Sequence, residues 1–134
     1  MEEIIFSDGV ETIQMGAFKN CTSLKRLELP STLKDLRADF ITCTSLEYIK
    51  IKSDVINNVN SAPPFNNLKN LSTIVFEEGV TTISSRLCEN AIGLKNVSLP
   101  STLRTIESQV FKDCSSLTTL KLPDGLTTIN NWAF

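Results

Sequence analysis

The sequence predicts an α/β solenoid, a stack of short coils sharing one continuous core. Three observations carry that expectation. The stretch FKNCTSLKRLELP, from Phe18 to Pro30, returns as FKDCSSLTTLKLP from Phe111 to Pro123, with weaker copies starting at Phe40, Phe65 and Cys88. Each strong copy sits beside a second signal, an apolar residue, two polar ones, then Ile or Leu: VETI at Val10, LKDL at Leu33, VTTI at Val80, LRTI at Leu103 and LTTI at Leu126. The residues that open each L-x-x-L-x-L stretch, Met1, Leu24, Leu46, Leu71, Leu94 and Leu117, are 23, 22, 25, 23 and 23 residues apart.

A period of 20 to 29 residues with this motif marks a leucine-rich repeat solenoid. The chain is read as one domain, 1–134, of about six repeats: 1–23, 24–45, 46–70, 71–93, 94–116 and a partial 117–134. Within a repeat the strand comes first. Two-residue alternation turns Leu27 and Leu29 inward, and Leu24 faces the core where the chain enters the strand. Successive strands should form a parallel sheet on the concave face of a right-handed coil. Pro30, Pro100 and Pro123 end their strands, because proline cannot continue a ladder. The second signal, such as Val80 with Ile83, should enter the core from the opposite wall as a short extended segment. The stretch Ala-Phe-x-x-Cys-x-x-Leu has three-residue spacing, which suits a short helical turn. Asn20, Asn67, Asn90 and Asp113, just before the Cys slot, are placed to bond backbone groups at that turn.

The motif L-x-x-L-x-L-P, then L-x-x-I, then A-F-x-x-C-x-x-L resembles the BspA-like class of leucine-rich repeats. The residues that carry the resemblance are GAFKNCTSLKRLELP from Gly16, VFKDCSSLTTLKLP from Val110 and LTTINNWAF from Leu126. The resemblance covers essentially the whole chain. Repeats three and four depart from it, with Lys52 in the Pro slot, and Cys88 and Ala91 in the Phe and Cys slots. It implies a protein at the cell surface or secreted, with a part in adhesion or in host or intercellular contact.

Repeat three carries the irregular stretch KSDVINNVNSAPP between Ile51 and Phe65. Val59 is its expected core residue on the second wall, and Pro63-Pro64 favours a stiff, extended bulge. Cys21, Cys43 and Cys114 hold one repeat slot and Cys88 holds a Phe slot, so all four read as core thiols. The alternative is a Cys21–Cys43 disulfide, since adjacent strands lie about 4.8 Å apart. Met1 stands in an anchor slot and Phe134 stops short of a Cys slot, leaving no polar cap at either end. That is expected of a segment of a longer array, or of ends that pair with one another. Trp132 is expected to fold over the C-terminal edge.

Composition excludes more than it selects. Apolar residues make up 41% of the chain, enough for a core, and no run of about eighteen apolar residues exists to span a membrane. Thirteen basic and fifteen acidic residues leave a net charge of −2 without a basic stripe, so neither nucleic acid nor membrane insertion is expected. There is no histidine, which removes the commonest general base and metal ligand together. CxxC pairs, glycine-rich phosphate loops and calcium-binding G-G-x-G-x-D turns are missing as well. No enzyme, cofactor or metal is expected. The sequons at Asn20, Asn70 and Asn96 are short patterns that arise often by chance.

Surface is what remains. Outward strand residues form two columns on the concave sheet: Glu3, Arg26, Tyr48, Thr73, Asn96 and Thr119, and Ile5, Glu28, Lys50, Val75, Ser98 and Lys121. Arg26, Glu28, Tyr48, Lys50, Thr73 and Val75 are the candidate binding residues, because Tyr and Arg are enriched at interface hot spots and Tyr48 is the single tyrosine. The expected function is a non-enzymatic module that binds a protein or a glycan. The alternative is a spacer, stalk or end-to-end self-associating scaffold with recognition elsewhere in the full-length protein.

Overall fold

The computed structural model describes residues 1–54, 56–57 and 62–134. Among these, the concave face is a five-stranded parallel sheet ordered β1 (Glu3–Ile5), β3 (Arg26–Glu28), β5 (Tyr48–Ile51), β7 (Thr73–Phe76) and β9 (Asn96–Ser98). The second wall is two parallel sheets of three short strands. One joins β2 (Thr12–Ile13), β4 (Asp35–Leu36) and β6 (Ile56–Asn57); the other joins β8 (Thr82–Ile83), β10 (Thr105–Ile106) and β11 (Thr128–Ile129). The two walls enclose one core in which Leu24, Leu27, Leu29, Ile49, Ile51, Leu71 and Ile74 are fully buried. Each such side chain contributes roughly 1.5–3 kcal/mol of burial. Val80 and Ile83 enter from the second wall as the repeat predicts, both buried.

The third side corrects the α/β assignment: the described residues contain no helix, and the expected short helical turns are tight turns instead. Ala17 N–H donates to Gln14 O, Lys19 to Gly16, Cys21 to Phe18 and Leu24 to Cys21, at 3.0–3.2 Å, without the unbroken succession a helix needs. The reason is backbone sense. Gly16 at φ 75° and Asn20 at φ 64° lie in the left-handed region, which interrupts right-handed winding every few residues. Asn67, Asn90 and Asp113 repeat the conformation at φ 58°. The polar residue before the Cys slot is there because Asn and Asp tolerate that region best after glycine.

Along this side a column of rings links the coils. Phe18 stacks on Phe40 with centroids 5.0 Å apart, and Phe40 meets Phe65 at 5.5 Å. Cys88, fully buried in the Phe slot of repeat four, stands between these rings and the Phe111–Phe134 pair, whose centroids are 5.9 Å apart. All four cysteines are free thiols. Cys43 Sγ–H donates to Phe18 O and Cys114 Sγ–H to Cys88 O, at 3.4 and 3.1 Å. Burial pushes the thiols of Cys43 and Cys114 up to about 11. Cys21 is only half-buried, having a single full coil beside it.

Several expectations are revised by packing. Pro63 and Pro64 form no surface bulge: both are buried, and Pro64 O accepts the Phe40 N–H at 2.9 Å. Proline keeps its carbonyl, so it can serve as an acceptor inside where it could not donate. Val59 lies outside the described residues. Trp132 does not cover the C-terminal edge; at φ 54° it points outward, 73% exposed, and Phe134 packs on Phe111 in its place.

The largest departure is in repeat six. Thr119–Lys121 does not join the concave sheet, although the second wall continues, with Thr127 N–H on Arg104 O and Asn130 N–H on Ile106 O, both at 2.9 Å. The connecting turns differ along the chain. Ser31 N–H and Oγ–H donate to Asp8 at 3.1 and 2.6 Å, while Thr32 Oγ1 accepts from Gly9 N–H and donates to Val10 O. Glu78 and Gly79 clasp Ser101 and Thr102 in the same way. In each case an acidic–Gly turn is followed by a Ser–Thr turn. At the junction of repeats five and six the order is reversed, Ser101-Thr102 before Asp124-Gly125, and Ser101 O instead accepts from Arg104 Nη1.

Candidate binding surface on the concave sheet

The sheet register produces the two columns that the alternation predicts. Glu3, Arg26, Tyr48, Thr73 and Asn96 are successive partners in one, and Ile5, Glu28, Lys50, Val75 and Ser98 in the other. Thr119 and Lys121 drop out of them, because their strand segment is unpaired.

Arg26 is the centre of the site. Its Nε lies 3.0 Å from Glu3 Oε1 and its Nη2 lies 2.5 Å from Glu28 Oε1. Its guanidinium carbon sits 4.1 Å from the Tyr48 ring centroid, within cation–π range. Glu28 is 8% exposed and collects further cations, with Lys52 Nζ at 3.2 Å and Lys50 Nζ at 4.0 Å. The hydrogen bond from Arg26 holds the Glu28 carboxyl below the usual range; the hydrogen bond from Lys52 and the charge of Lys50 add to this, against the opposing effect of burial. Lys50 also reaches Glu77 at 3.5 Å. The Tyr48 hydroxyl makes no hydrogen bond among the described residues, so a half-buried ring offers an open donor and acceptor beside a fixed cation.

Arg26, Glu28, Tyr48 and Lys50 are thus drawn into one network. Thr73 and Val75 lie on the adjacent strand and complete the patch without charged contacts of their own, Thr73 Oγ1 being 3.3 Å from Ser72 Oγ. Sequence reasoning missed Glu3, Lys52 and Glu77 as members. Lys52 was legible, since it replaces the proline that ends other strands and so carries a cation at the sheet's rim. A second ionic cluster, Glu89 with Arg86 at 2.5 Å and Lys112 at 3.4 Å, was also missed.

The surface also holds a cleft of about 730 Å³ where repeat six parts from β9. Val97, Leu99 and Leu122 provide its apolar lining, with Lys121 and Asp124 at its edge. None of Arg26, Glu28, Tyr48, Lys50, Thr73 and Val75 lines it, although Ser98 at the end of the second column does. Among the described residues no cluster of three or more Cys, Asp or Glu is placed to hold a metal ion, and no helix is long and apolar enough to cross a membrane.

A family model described as BspA type leucine-rich repeat region matches in six copies, over residues 1–97 and 88–134. Among solved structures, a leucine-rich repeat protein from Eubacterium ventriosum is 26% identical with a TM-score of 0.68; the match covers 89% of this chain and 32% of that one. One from Bacteroides ovatus is 21% identical with a TM-score of 0.77, over 96% of this chain and 33% of that one. A leucine-rich cell surface protein from Faecalibacterium prausnitzii is 22% identical with a TM-score of 0.57, over 93% and 40%. The chain therefore spans about a third of the first two structures it matches. No match is found among curated proteins.

Proposed function

The chain belongs to the BspA-type leucine-rich repeat family, and from that premise we propose that its concave sheet is a non-enzymatic surface that binds a protein or glycan ligand. The observation that carries this reading is the Arg26–Tyr48 stack, held by Glu3 and Glu28 in the middle of an outward-facing column. A ring fixed at low conformational cost, an open hydroxyl and a flanking Lys50 suit either a carbohydrate face or a polar protein surface. The setting proposed is a cell-surface or secreted protein engaged in adhesion or in contact with a host or neighbouring cell. The description of the Faecalibacterium neighbour as a cell surface protein supports that setting. The six-repeat division given above is proposed as the unit in which this surface is built.

The test is a glycan array and a panel of extracellular proteins probed with the intact chain and with Tyr48→Ala and Arg26→Ala. Binding that either substitution weakens at least tenfold, with thermal stability little changed, is the expected result. Binding unaffected by both would remove the concave column from the site.

A second reading has its own observation. Trp132, Phe134 and Ile129 are 73%, 58% and 48% exposed at one end, as is Met1 at the other. This supports end-to-end association as a scaffold. Light scattering across a hundredfold concentration range tests it, since Trp132→Glu should then abolish any growth in mass.

A further inference from the structure

β9 ends the concave sheet with an open edge although one more coil follows it. In the repeat of β3, Lys25 O accepts from Tyr48 N–H at 3.1 Å and Leu29 N–H donates to Lys50 O at 2.9 Å, so these positions bond to the following strand. Their counterparts beside β9 are Lys95 O and Leu99 N–H, with Val97 between them. Asn96 N–H bonds backwards to Ser72 O at 2.9 Å, which leaves Val97 facing forwards by alternation. None of these forward groups is hydrogen-bonded among the described residues, and both Val97 and Leu99 are only half-buried. Unlike a bare sheet end, this edge has a second wall opposite it. Coil six is held on its other sides by Phe111 N–H on Ala133 O at 2.7 Å and Thr128 N–H on Arg104 O at 3.0 Å. The result is a slot between a strand edge and Leu122, about 730 Å³ in volume.

We propose that this slot is a β-addition site for an extended peptide of alternating apolar and polar residues, with an acidic side chain beside Lys121. The main chain would complete the unbonded edge of β9, and alternate apolar side chains would fill the space lined by Val97, Leu99 and Leu122. Charge supplies the choice of acidic partner. Lys50, at the same repeat position as Lys121, has Glu28 on the strand before it and reaches Glu77 beyond its own strand. Lys121 is exposed and makes no ion pair among the described residues. This site is independent of the Arg26–Tyr48 column, so either can fail alone.

The probe is the capped peptide Leu-Lys-Arg-Leu-Glu-Leu-Pro, the sequence of residues 24–30, which already pairs on both edges in β3. In parallel register its Glu falls beside Ser98 on one side and Lys121 on the other. Titrated into isotope-labelled chain, it should shift the amide signals of Val97 and Leu99 and slow their hydrogen exchange. Lys121→Glu, a surface change checked for unaltered melting, should weaken binding about two- to fivefold, the range of an exposed ion pair. Tyr48→Ala should not change it. Four results would overturn the assignment: no shift at low millimolar peptide, shifts at the Glu3–Ile5 edge instead, full affinity in Lys121→Glu, or Val97 and Leu99 amides protected before peptide is added, which would mean that coil six zips shut on β9.

Discussion

The guanidinium of Arg26 lies over the ring of Tyr48, 4.1 Å from its centroid, across the boundary between two repeats. Parallel register makes the pair direct cross-strand partners. The contact therefore joins β3 to β5 as well as shaping the surface. Tyr48→Ala should lower stability by about 0.5–2 kcal/mol, the worth of a cation–π contact between half-buried groups. Urea denaturation of the variant checks this, and a loss several times larger would mean that Tyr48 is a core residue rather than a surface one.

Glu28 should make stability depend on acid. Its folded carboxyl titrates below the ordinary value, chiefly through the hydrogen bond from Arg26. A depressed acid contributes stability that is present above its unfolded pKa, about 4.3, and lost as pH falls through the folded one. Thermal melts between pH 7 and pH 3 should show a steeper decline in the native chain than in Glu28→Gln.

Core substitutions should sort by distance from the open slot. Leu27, fully buried between two complete neighbours, should cost about 2–5 kcal/mol as Ala. Leu99 fills the slot that the equally buried Leu29 holds in its own repeat, but it is half-buried beside unpaired coil six, and Leu99→Ala should fall below that range. Equal losses in chemical denaturation would contradict the opening of the last coil.

Gly93 is required by packing. An added Cβ would lie 2.3 Å from Lys69 O, a backbone atom that cannot swing aside. Gly93→Ala should destabilise by roughly 1–3 kcal/mol, as overpacking does. Calorimetric melting of the single variant is sufficient to test it.

Thiol chemistry should be uneven. Burial raises Cys43 and Cys114 to about 11 and lifts Cys88 well above its ordinary value, so these thiols stay protonated and inaccessible at pH 8. Cys21, half-buried, should react first with a thiol reagent. Because the raised thiols favour the folded state only while protonated, stability should decline as pH rises from about 8.5 toward 11.

Periodicity made most of the core legible. Leu24, Leu27 and Leu29 recur at a spacing that strand alternation alone converts into inward positions, and all three are buried. The columns through Arg26 and Glu28 follow from the same alternation once neighbouring repeats are in register. The turn signals were also in the text, as DGV and EGV ahead of PSTL. Their pairing across coils was not, because a clasp such as Asp8 with Ser31 spans 23 residues and depends on stacking.

What the sequence by itself determined was the repeat, the inward faces and the order of outward residues. These are local consequences of side-chain size and backbone alternation, repeated often enough to be read without neighbours. Only the tertiary structure decided that the third side is turns rather than helix, because left-handed Asn20 and Gly16 break the winding. It also decided that Thr119–Lys121 stands away from β9 although its sequence matches a paired strand. Strand pairing is a property of two coils together. The same motif pairs on both edges in β3 and stands apart in coil six, according to the neighbour it meets.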